Sequence, residues 1–339
     1  MQLTSKPNIY LFGVESYGSV LYQFPDFLEE YQKVIKDSAQ KLKAANWHVA
    51  SNLSTSPIMG GGSWLSYTTV QFGVKIENLA LDNKLHNSKS FEKYQGLFQF
   101  LQGQGYTNSL LSGMGGYDDL AFDYEKFKAF YALNHFIGFN DLEYIGPKIG
   151  MGNTPPDQFT LNRGHEVLKS KSPEPHFLFW LSNNSHFWWE TPTKLSDDWK
   201  NLNTKDLDFI NLTSGNRSDV RGNYLKSIKY QLEVFTDFIL NQADDDAIIV
   251  LFGDHQPAVF PNDESTQDTP IHIISKNEKL IHSFEKYGFE NGFLVENRTE
   301  NNLKHEGIYS MFLREFLAHF GNQSELPSYL PDGIDLVKP

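Results

Sequence analysis

Five side chains able to bind a metal or transfer a proton follow apolar runs within a few residues, or follow a run of glycines, in this sequence. They are Glu15, Ser63, His186, Asp254 and His255. In open parallel sheets, ligands bind beyond the carboxyl ends of the strands, so the residues that follow each apolar run are expected to meet at one site. The sequence therefore predicts that side chains from four distant parts of the chain lie close together.

Three of these side chains have the chemistry of a metal site. Glu15, Asp254 and His255 are ligand types that Zn²⁺ and Mn²⁺ take in proteins. Two neighbouring carboxylates raise each other's pKa unless a cation lies between them, and one divalent ion resolves that conflict. A serine hydroxyl as a fourth ligand would be acidified, as metal-bound water is, whose pKa falls to about 7 in favourable cases. We therefore expect one divalent ion, Mn²⁺ or Zn²⁺, held by these three residues and Ser63.

Ser63 has the surroundings of an activated nucleophile. It follows three glycines, which let the backbone come close to a substrate, and it opens a helical stretch whose N-terminus favours an oxyanion. This arrangement suits phosphoryl transfer, in which charge on the phosphoryl oxygens must be stabilised. The neighbouring hydroxyls of Ser66, Thr68 and Thr69 fall inside the helix and are less suited. Plain helix capping by Ser63 or by Glu15 is the alternative explanation.

Composition excludes several classes of function. The 339 residues are 40% hydrophobic and 14% aromatic, enough for a sizeable core. The net charge of −13 argues against nucleic acid as a partner, since phosphate backbones require a basic surface, and it disfavours electrostatic docking on anionic membranes. The absence of cysteine excludes disulfides, thiolate catalysis and Cys-based zinc sites. The longest apolar runs are far shorter than the roughly 20 residues that a membrane-spanning helix needs.

Six apolar runs bounded by turn residues predict strands, and five stretches between them have helical spacing. The predicted strands are 8–14, 47–51, 107–111, 176–181, 247–252 and 270–274. The predicted helices are 25–45, 91–104, 157–170, 223–241 and 307–321. Nearly continuous hydrophobicity in the strands is typical of a parallel sheet covered on both faces. The pattern therefore predicts an α/β sandwich with a mostly parallel central sheet and helices on both faces.

No internal repeat or low-complexity linker divides the chain. We therefore predict a single domain over residues 1–339. The stretch from about 185 to 221 is rich in Trp, Asn, Asp and Thr, and we expect it to be an excursion over the site rather than a domain of its own.

Four segments, in order, resemble the sulfatase-like branch of the alkaline phosphatase superfamily. They are Asn-Ile-Tyr-Leu-Phe-Gly-Val-Glu-Ser-Tyr-Gly, Gly-Gly-Gly-Ser-Trp-Leu-Ser, Ser-Asn-Asn-Ser-His-Phe and Phe-Gly-Asp-His-Gln-Pro. The layout is most similar to the catalytic domains of lipoteichoic acid synthases and phosphoethanolamine transferases, and the resemblance covers roughly residues 8–275. It implies an alkaline-phosphatase-like fold for the sandwich predicted above.

The resemblance also implies roles for the five side chains. Glu15, Ser63, Asp254 and His255 would bind the metal, Ser63 would attack phosphorus to form a phospho-serine, and His186 would contact the phosphoryl group or the leaving oxygen. The substrate would be a phosphorylated lipid, polymer or small molecule of the cell envelope. The families place this domain outside the cytoplasm, tethered by membrane helices that this sequence lacks. We therefore expect an extracytoplasmic domain excised from a membrane-anchored protein.

Three departures from the family pattern leave the reaction open. The nucleophile is serine where the two transferase families have threonine, although the chemistry is equivalent. The segment 55–59 lacks the formylglycine signature of sulfatases, and the segment 112–119 lacks the His and Arg with which lipoteichoic acid synthases hold glycerol phosphate. A phosphomonoesterase, phosphodiesterase or sulfatase-like hydrolase of the same fold is one alternative. The other is an inactive ectodomain that binds a glycan or lipid through Trp188 and Trp189, with His186 merely packed among aromatics.

Overall fold

A mixed eight-stranded sheet forms the centre of the computed structural model, which describes residues 2–87, 94–114, 124–172, 175–189, 193–207, 219–260, 266–296, 303–322 and 325–335. The strands are β1 (Ile9–Val14), β2 (His48–Thr55), β3 (Thr107–Leu111), β4 (His135–Ile137), β5 (His176–Leu181), β6 (Ile248–Gly253), β7 (Asp268–Ser275) and β8 (Glu290–Asn291). Their order across the sheet is β4-β3-β5-β1-β6-β7-β2-β8.

Most neighbouring strands in the sheet are parallel. β1 pairs in parallel with β5 and β6, and β3 pairs in parallel with β4 and β5. β7 runs antiparallel to both β6 and β2, and β8 runs antiparallel to β2. The predicted fold class, a mostly parallel sheet in an α/β protein, is confirmed.

The central strands β1, β5 and β6 are mostly apolar because both faces of the sheet are covered there. All six residues of β1 and all six of β6 are buried. Successive side chains of a strand point to opposite faces. Accordingly Tyr10, Phe12 and Val14 enter one hydrophobic core, whereas Ile9 and Leu11 enter the other.

Helices supply the two outer layers of the sandwich. They are α1 (Val20–Gln23), α2 (Pro25–Ala44), α3 (Ser63–Phe72), α4 (Leu79–Asn87), α5 (Leu97–Gly103), α6 (Tyr124–Phe130), α7 (Asp157–Lys171), α8 (Val220–Asn241), α9 (Glu278–Ser283) and α10 (His305–Phe320). The core on one face is closed by α2, α7 and α8, and the core on the other by α3, α5 and α10. Short 3₁₀ turns occupy Phe139–Leu142, Trp199–Leu202 and Glu285–Tyr287.

The predicted elements differ from the observed ones mainly at their ends. The strand predicted at 47–51 extends to Thr55, and the helix predicted at 91–104 is described only over α5, since residues 88–93 lie outside the described part. α4, α6 and the short β4 were not predicted. β7 departs from the parallel pattern, and the described part of the connection after β6 contains no crossover helix, which a parallel neighbour would need.

The stretch expected to be an excursion over the site is described only in part, because residues 190–192 and 208–218 lie outside the description. Its described portion packs on α7. The Gln158 side chain donates to the Ser196 carbonyl oxygen (2.8 Å) and accepts from the Ser196 N–H (2.9 Å), and the Trp199 ring meets the Phe159 ring edge-on. The single domain over 1–339 and this excursion stay predictions. Among the described helices, none combines the length and the hydrophobicity needed to cross a bilayer.

Candidate active site

Two buried carboxylates and a buried imidazole meet at the carboxyl ends of the central strands. β1 and β6 are adjacent and parallel, with Val14 opposite Gly253, so the residues that follow them emerge at the same edge. Glu15, Asp254 and His255 each offer one ligand atom, and these atoms all lie within 4.8 Å of one another. The structure therefore brings together three of the four residues that the sequence predicted around a cation.

Ser63, the fourth residue, lies against this cluster at the first position of α3. Its Oγ donates a hydrogen bond to Glu15 Oε2 (3.0 Å) and is 3.3 Å from His255 Nε2. The side chain is only partly buried, so the hydroxyl is at once in contact with the cluster and open to an incoming group. Ser63 therefore lies at the edge of the cluster, and its predicted role as nucleophile stays a prediction.

The three glycines before Ser63 shape its approach to the cluster. Gly60, Gly61 and Gly62 all have positive φ, between +68° and +89°, which residues with a Cβ rarely adopt. A Cβ on Gly60 would also stand 2.9 Å from the Cβ of Ala258 in the loop after β6. The glycine run thus lets the chain turn sharply beside that loop and start α3 at the site.

The turn after β1 is held by hydrogen bonds to the same cluster. Ser16 adopts φ +57°, an uncommon value for a residue other than glycine. Its N–H donates to Asp254 Oδ1 (2.8 Å), its hydroxyl donates to Glu15 Oε1 (2.8 Å), and its carbonyl accepts from the Tyr224 hydroxyl (3.0 Å). These bonds stabilise the strained backbone and fix the direction of Glu15.

The orientation of His255 suits metal binding through Nε2. Its Nδ1–H donates to the Gln256 carbonyl oxygen (2.8 Å), which leaves the Nε2 lone pair for the cluster. The Gly61 N–H donates a hydrogen bond to that nitrogen (3.0 Å). Nε2 also lies 3.4 Å from Asp254 Oδ2 and 3.5 Å from Glu15 Oε1. Nε2 therefore lies between two carboxylates, and a cation bound to it would take the place of the Gly61 N–H donor.

The cluster carries an electrostatic conflict that a cation would relieve. Burial, followed by the charge of Glu15, raises the pKa of Asp254 to about 8. Burial alone would raise the pKa of Glu15, but the nearby rings of His255 and His186 hold it below its usual value. Burial would lower the pKa of His255, but Asp254 and Glu15 hold it above its usual value. Asp254 Oδ2 is buried without any hydrogen-bond partner, so its lone pairs could accept a cation.

His186 lies beside the cluster rather than within it. It belongs to the loop after β5 and is half-buried, and its Nδ1 hydrogen-bonds to the Phe187 carbonyl oxygen. It is close enough to Glu15 to lower the pKa of that carboxyl. The structure thus places His186 next to the cluster, and its predicted contact with the phosphoryl group or leaving oxygen stays a prediction.

Asp157, to which the sequence analysis gave no role, organises the loop that carries His186. Its Oδ2 accepts hydrogen bonds from the Asn183 N–H (2.9 Å), the Asn184 N–H (2.6 Å) and Gln231 Nε2 (2.6 Å). Burial raises the pKa of Asp157 to about 7. The signal in the sequence was a Pro-Pro-Asp start to a helix, which marks a helix N-terminus but not the loop it would meet.

The two tryptophans after His186 have different surroundings. Trp189 is buried, donates from Nε1 to the Ser185 carbonyl oxygen (2.6 Å), and stacks on Phe260 with an interplanar angle of 10°. Trp188 is 69% exposed and stacks on Phe187. Trp189 is therefore part of the core, and only Trp188 is open to a ligand.

Comparisons with known proteins agree on the fold and the family. The family model described as Sulfatase matches residues 61–296, more than two thirds of the chain. No curated protein matches the sequence.

Among solved structures, a lipoteichoic acid synthase from Listeria monocytogenes is similar, with a TM-score of 0.60 and 13% identity over 98% of this chain and 76% of that one. The soluble domain of lipooligosaccharide phosphoethanolamine transferase A from Neisseria meningitidis has a TM-score of 0.54 and 12% identity, over 93% of this chain and 90% of that one. A Streptococcus pyogenes phosphoglycerol transferase has a TM-score of 0.55 and 12% identity, over 95% and 76%. At such identities these likenesses establish the fold. With the family-model match, they lead to one conclusion: this chain belongs to the sulfatase family and is an enzyme of the alkaline phosphatase superfamily.

Proposed function

We propose that this enzyme is a metal-dependent phosphotransferase that acts on phosphate esters of envelope lipid or polymer head groups through a phospho-serine at Ser63. One observation carries the proposal. The Ser63 hydroxyl touches a buried cluster of two carboxylates and an imidazole, in which Asp254 Oδ2 has no hydrogen-bond partner.

Glu15, Ser63, Asp254 and His255 would hold one divalent ion. Carboxylate oxygen, imidazole nitrogen and a hydroxyl suit Zn²⁺ or Mn²⁺, and the unpaired Oδ2 with the raised pKa of Asp254 supports a missing positive charge there. When bound, such an ion supplies Lewis-acid chemistry: it acidifies the serine hydroxyl and offsets charge on the phosphoryl oxygens.

The remaining steps belong to the protein's own side chains. Glu15 Oε2, which accepts the Ser63 hydrogen bond, orients the serine oxygen and is placed to receive its proton. Ser63 Oγ then forms the bond to phosphorus as the bond to the leaving alcohol breaks. His186 Nε2, left unengaged by the bond at Nδ1, is proposed to pass a proton to the leaving oxygen. An acceptor hydroxyl then gives its proton to His186 Nε2 and takes the phosphoryl group, and Ser63 Oγ recovers its proton from Glu15 as the serine–phosphorus bond breaks.

The structural neighbours support head-group transfer as the reaction class. Their names give phosphoglycerol and phosphoethanolamine transferases and a lipoteichoic acid synthase, and one is the periplasmic domain of a protein whose crystals contain zinc. By analogy we place this enzyme outside the cytoplasm, with membrane contact only through segments absent from this sequence.

The test compares removal of the proposed nucleophile, Ser63, with removal of a neighbouring serine. Ser63→Ala should lower turnover of a phosphodiester substrate by on the order of 10³-fold or more and abolish the mass gain of a trapped phosphoryl-enzyme. Ser66→Ala is the control: Ser66 lies one turn further along α3, is buried, and its Oγ has no hydrogen-bond partner. Full activity in Ser63→Ala would refute the proposal.

The share of the phosphoryl group that passes to an added alcohol rather than to water distinguishes a transferase from a hydrolase. In a transferase, adding an alcohol acceptor should replace the phosphomonoester formed by hydrolysis with a new diester, in proportion to the concentration of the alcohol. Products that stay hydrolytic at every acceptor concentration would instead identify a phosphoesterase that uses the same Ser63 chemistry.

A further inference from the structure

A cavity of about 430 Å³ opens beside the proposed reaction centre. Two of its lining residues adjoin the site: Trp64 follows the nucleophile, and Asn183 lies in the loop that carries His186. The other walls come from β4, from the ends of β3 and β5, and from α3, α4 and α6 with the residues next to them. A group bonded to a phosphorus at Ser63 could therefore extend into this cavity.

The walls of the cavity are mainly apolar. Six aromatic side chains contribute to them, namely Trp64, Tyr67, Phe127, Tyr131, Phe136 and Phe179. Leucines from the ends of β3 and β5 fill much of the remaining wall. By comparison, an apolar cavity of about 150 Å³ is enough to bind benzene. The space thus suits an apolar group of more than one ring or an equivalent branched chain.

The polar lining offers little to hold a charged group. Among the described lining residues there is no arginine, and the one lysine, Lys126, is solvent-exposed. Asp82 is buried; its Oδ1 has no hydrogen-bond partner, and burial raises the pKa of this carboxyl. His86 Nδ1 lies closer to the Asp82 carbonyl oxygen (3.0 Å) than to the carboxylate Oδ1 (3.5 Å). A second anion would therefore find no buried lysine or arginine among the lining residues that the structure describes.

We propose that this cavity binds an uncharged, largely apolar group, the alcohol portion that remains on the phosphorus during transfer. The proposal rests on the proposed function, because it names the substrate class of the same site. It differs from a polyol such as glycerol, whose hydroxyls would lose hydrogen bonds to water against aromatic and leucine walls. Burying an apolar ring there instead removes its surface from water.

Two esters with one leaving group test this preference. Phenyl p-nitrophenyl phosphate and methyl p-nitrophenyl phosphate differ only in the group that stays on the phosphorus. We expect kcat/KM to be on the order of 10- to 100-fold higher for the phenyl ester, as burial of one ring's apolar surface implies. Ser112→Phe, which places a ring in the cavity wall at the end of β3, should remove most of this ratio and leave the methyl ester within about threefold.

Ser112→Ala is the matched control, since it removes the same hydroxyl without filling space and should keep the ratio. An equal ratio in the native enzyme and in Ser112→Phe would overturn the proposal. So would a preference for p-nitrophenyl phosphorylcholine that Asp82→Asn abolishes, because the cavity would then select a cation.

A binding measurement separates this proposal from the proposed function and needs no variant. NMR titration of the native protein with p-cresol should perturb the resonances of Trp64 and of the cavity residues, whether or not the protein has any activity. Binding of p-cresol without turnover of either ester would support the cavity and refute the proposed function. Turnover of both esters with no p-cresol binding would refute the cavity and leave the proposed function standing.

Discussion

Lowering the pH from 8 to 6 should weaken divalent-metal binding, because Asp254 must lose a proton before it can bind a cation. Its pKa in the metal-free protein is raised to about 8, by burial and then by Glu15. Half of the carboxyl is then ionised at pH 8 and about 1% at pH 6, so affinity should fall by on the order of 50-fold. His255, whose pKa is also raised, adds to the loss.

The same shift fixes the sign of the effect on stability. The folded pKa of Asp254 lies above its unfolded value of 3.8, so the metal-free protein binds the extra proton between these values. The contribution of Asp254 to stability should therefore fall as the pH rises from about 4 to about 8, by about 1.4 kcal/mol per pH unit. A metal that replaces this proton should restore stability most strongly at the upper end of the range.

The expected shift in melting temperature follows from mass action. At pH 8, metal at about 100 times its Kd stabilises by about 2.7 kcal/mol. An unfolding entropy of about 0.7 kcal/mol/K for 339 residues converts this to a rise of about 4 °C. At pH 6 the same concentration is only about twice the Kd, which gives about 1 °C.

Titration calorimetry with Mn²⁺ and Zn²⁺ at pH 6, 7 and 8, with melting curves in parallel, measures both quantities. Asp254→Asn should abolish the metal-induced shift. Asp82→Asn, a buried acid with a raised pKa outside the cluster, should leave it intact. Affinity that is constant from pH 6 to 8, or native-like binding by Asp254→Asn, would show that this carboxyl is not a ligand.

Three further predictions concern the residues around the site. Asp157→Ala removes three hydrogen bonds, so the free energy of unfolding measured in urea should fall by about 3 kcal/mol, and kcat should fall by a larger factor than KM changes, because the loop that carries His186 loses its support. Asp157→Asn keeps an acceptor and should recover most of the stability and most of kcat. Equal losses in the two variants would contradict this. Gly62→Ala, at φ +81°, should cost about 1 kcal/mol, whereas Gly103→Ala in α5, where a Cβ meets nothing within 4 Å, should not destabilise. Burial lowers the pKa of His272 from 6.5 to about 3, so the stability that His272 contributes above pH 6.5 should be lost by about 1.4 kcal/mol per pH unit as the pH falls below 6.5. His272→Gln should make the free energy of unfolding depend less steeply on pH between pH 7 and 5. An unchanged slope in that variant would exclude His272 as the cause of the pH dependence.

The elements that position the site were largely visible in the sequence. β1, β5 and β6 are continuous apolar runs because they are buried on both faces, and such runs stand out from their surroundings. Glu15 and Asp254 could be singled out since each follows such a run directly. Short elements such as α4 and α6, which carry fewer apolar positions, gave no comparable signal.

The closeness of the site residues to one another depends on the tertiary structure alone. β1 lies between β5 and β6, strands more than 160 residues further along the chain, and no local pattern encodes that order. Only this arrangement sets Ser63 Oγ 3.0 Å from Glu15 and leaves Asp254 Oδ2 without a partner. The same holds for Asp157, whose three donors come from a loop and a helix that meet it only in the folded chain. Residue type and strand-end position are local properties that a sequence contains, whereas distances, burial and the pKa shifts they cause arise from contacts between segments far apart in the chain.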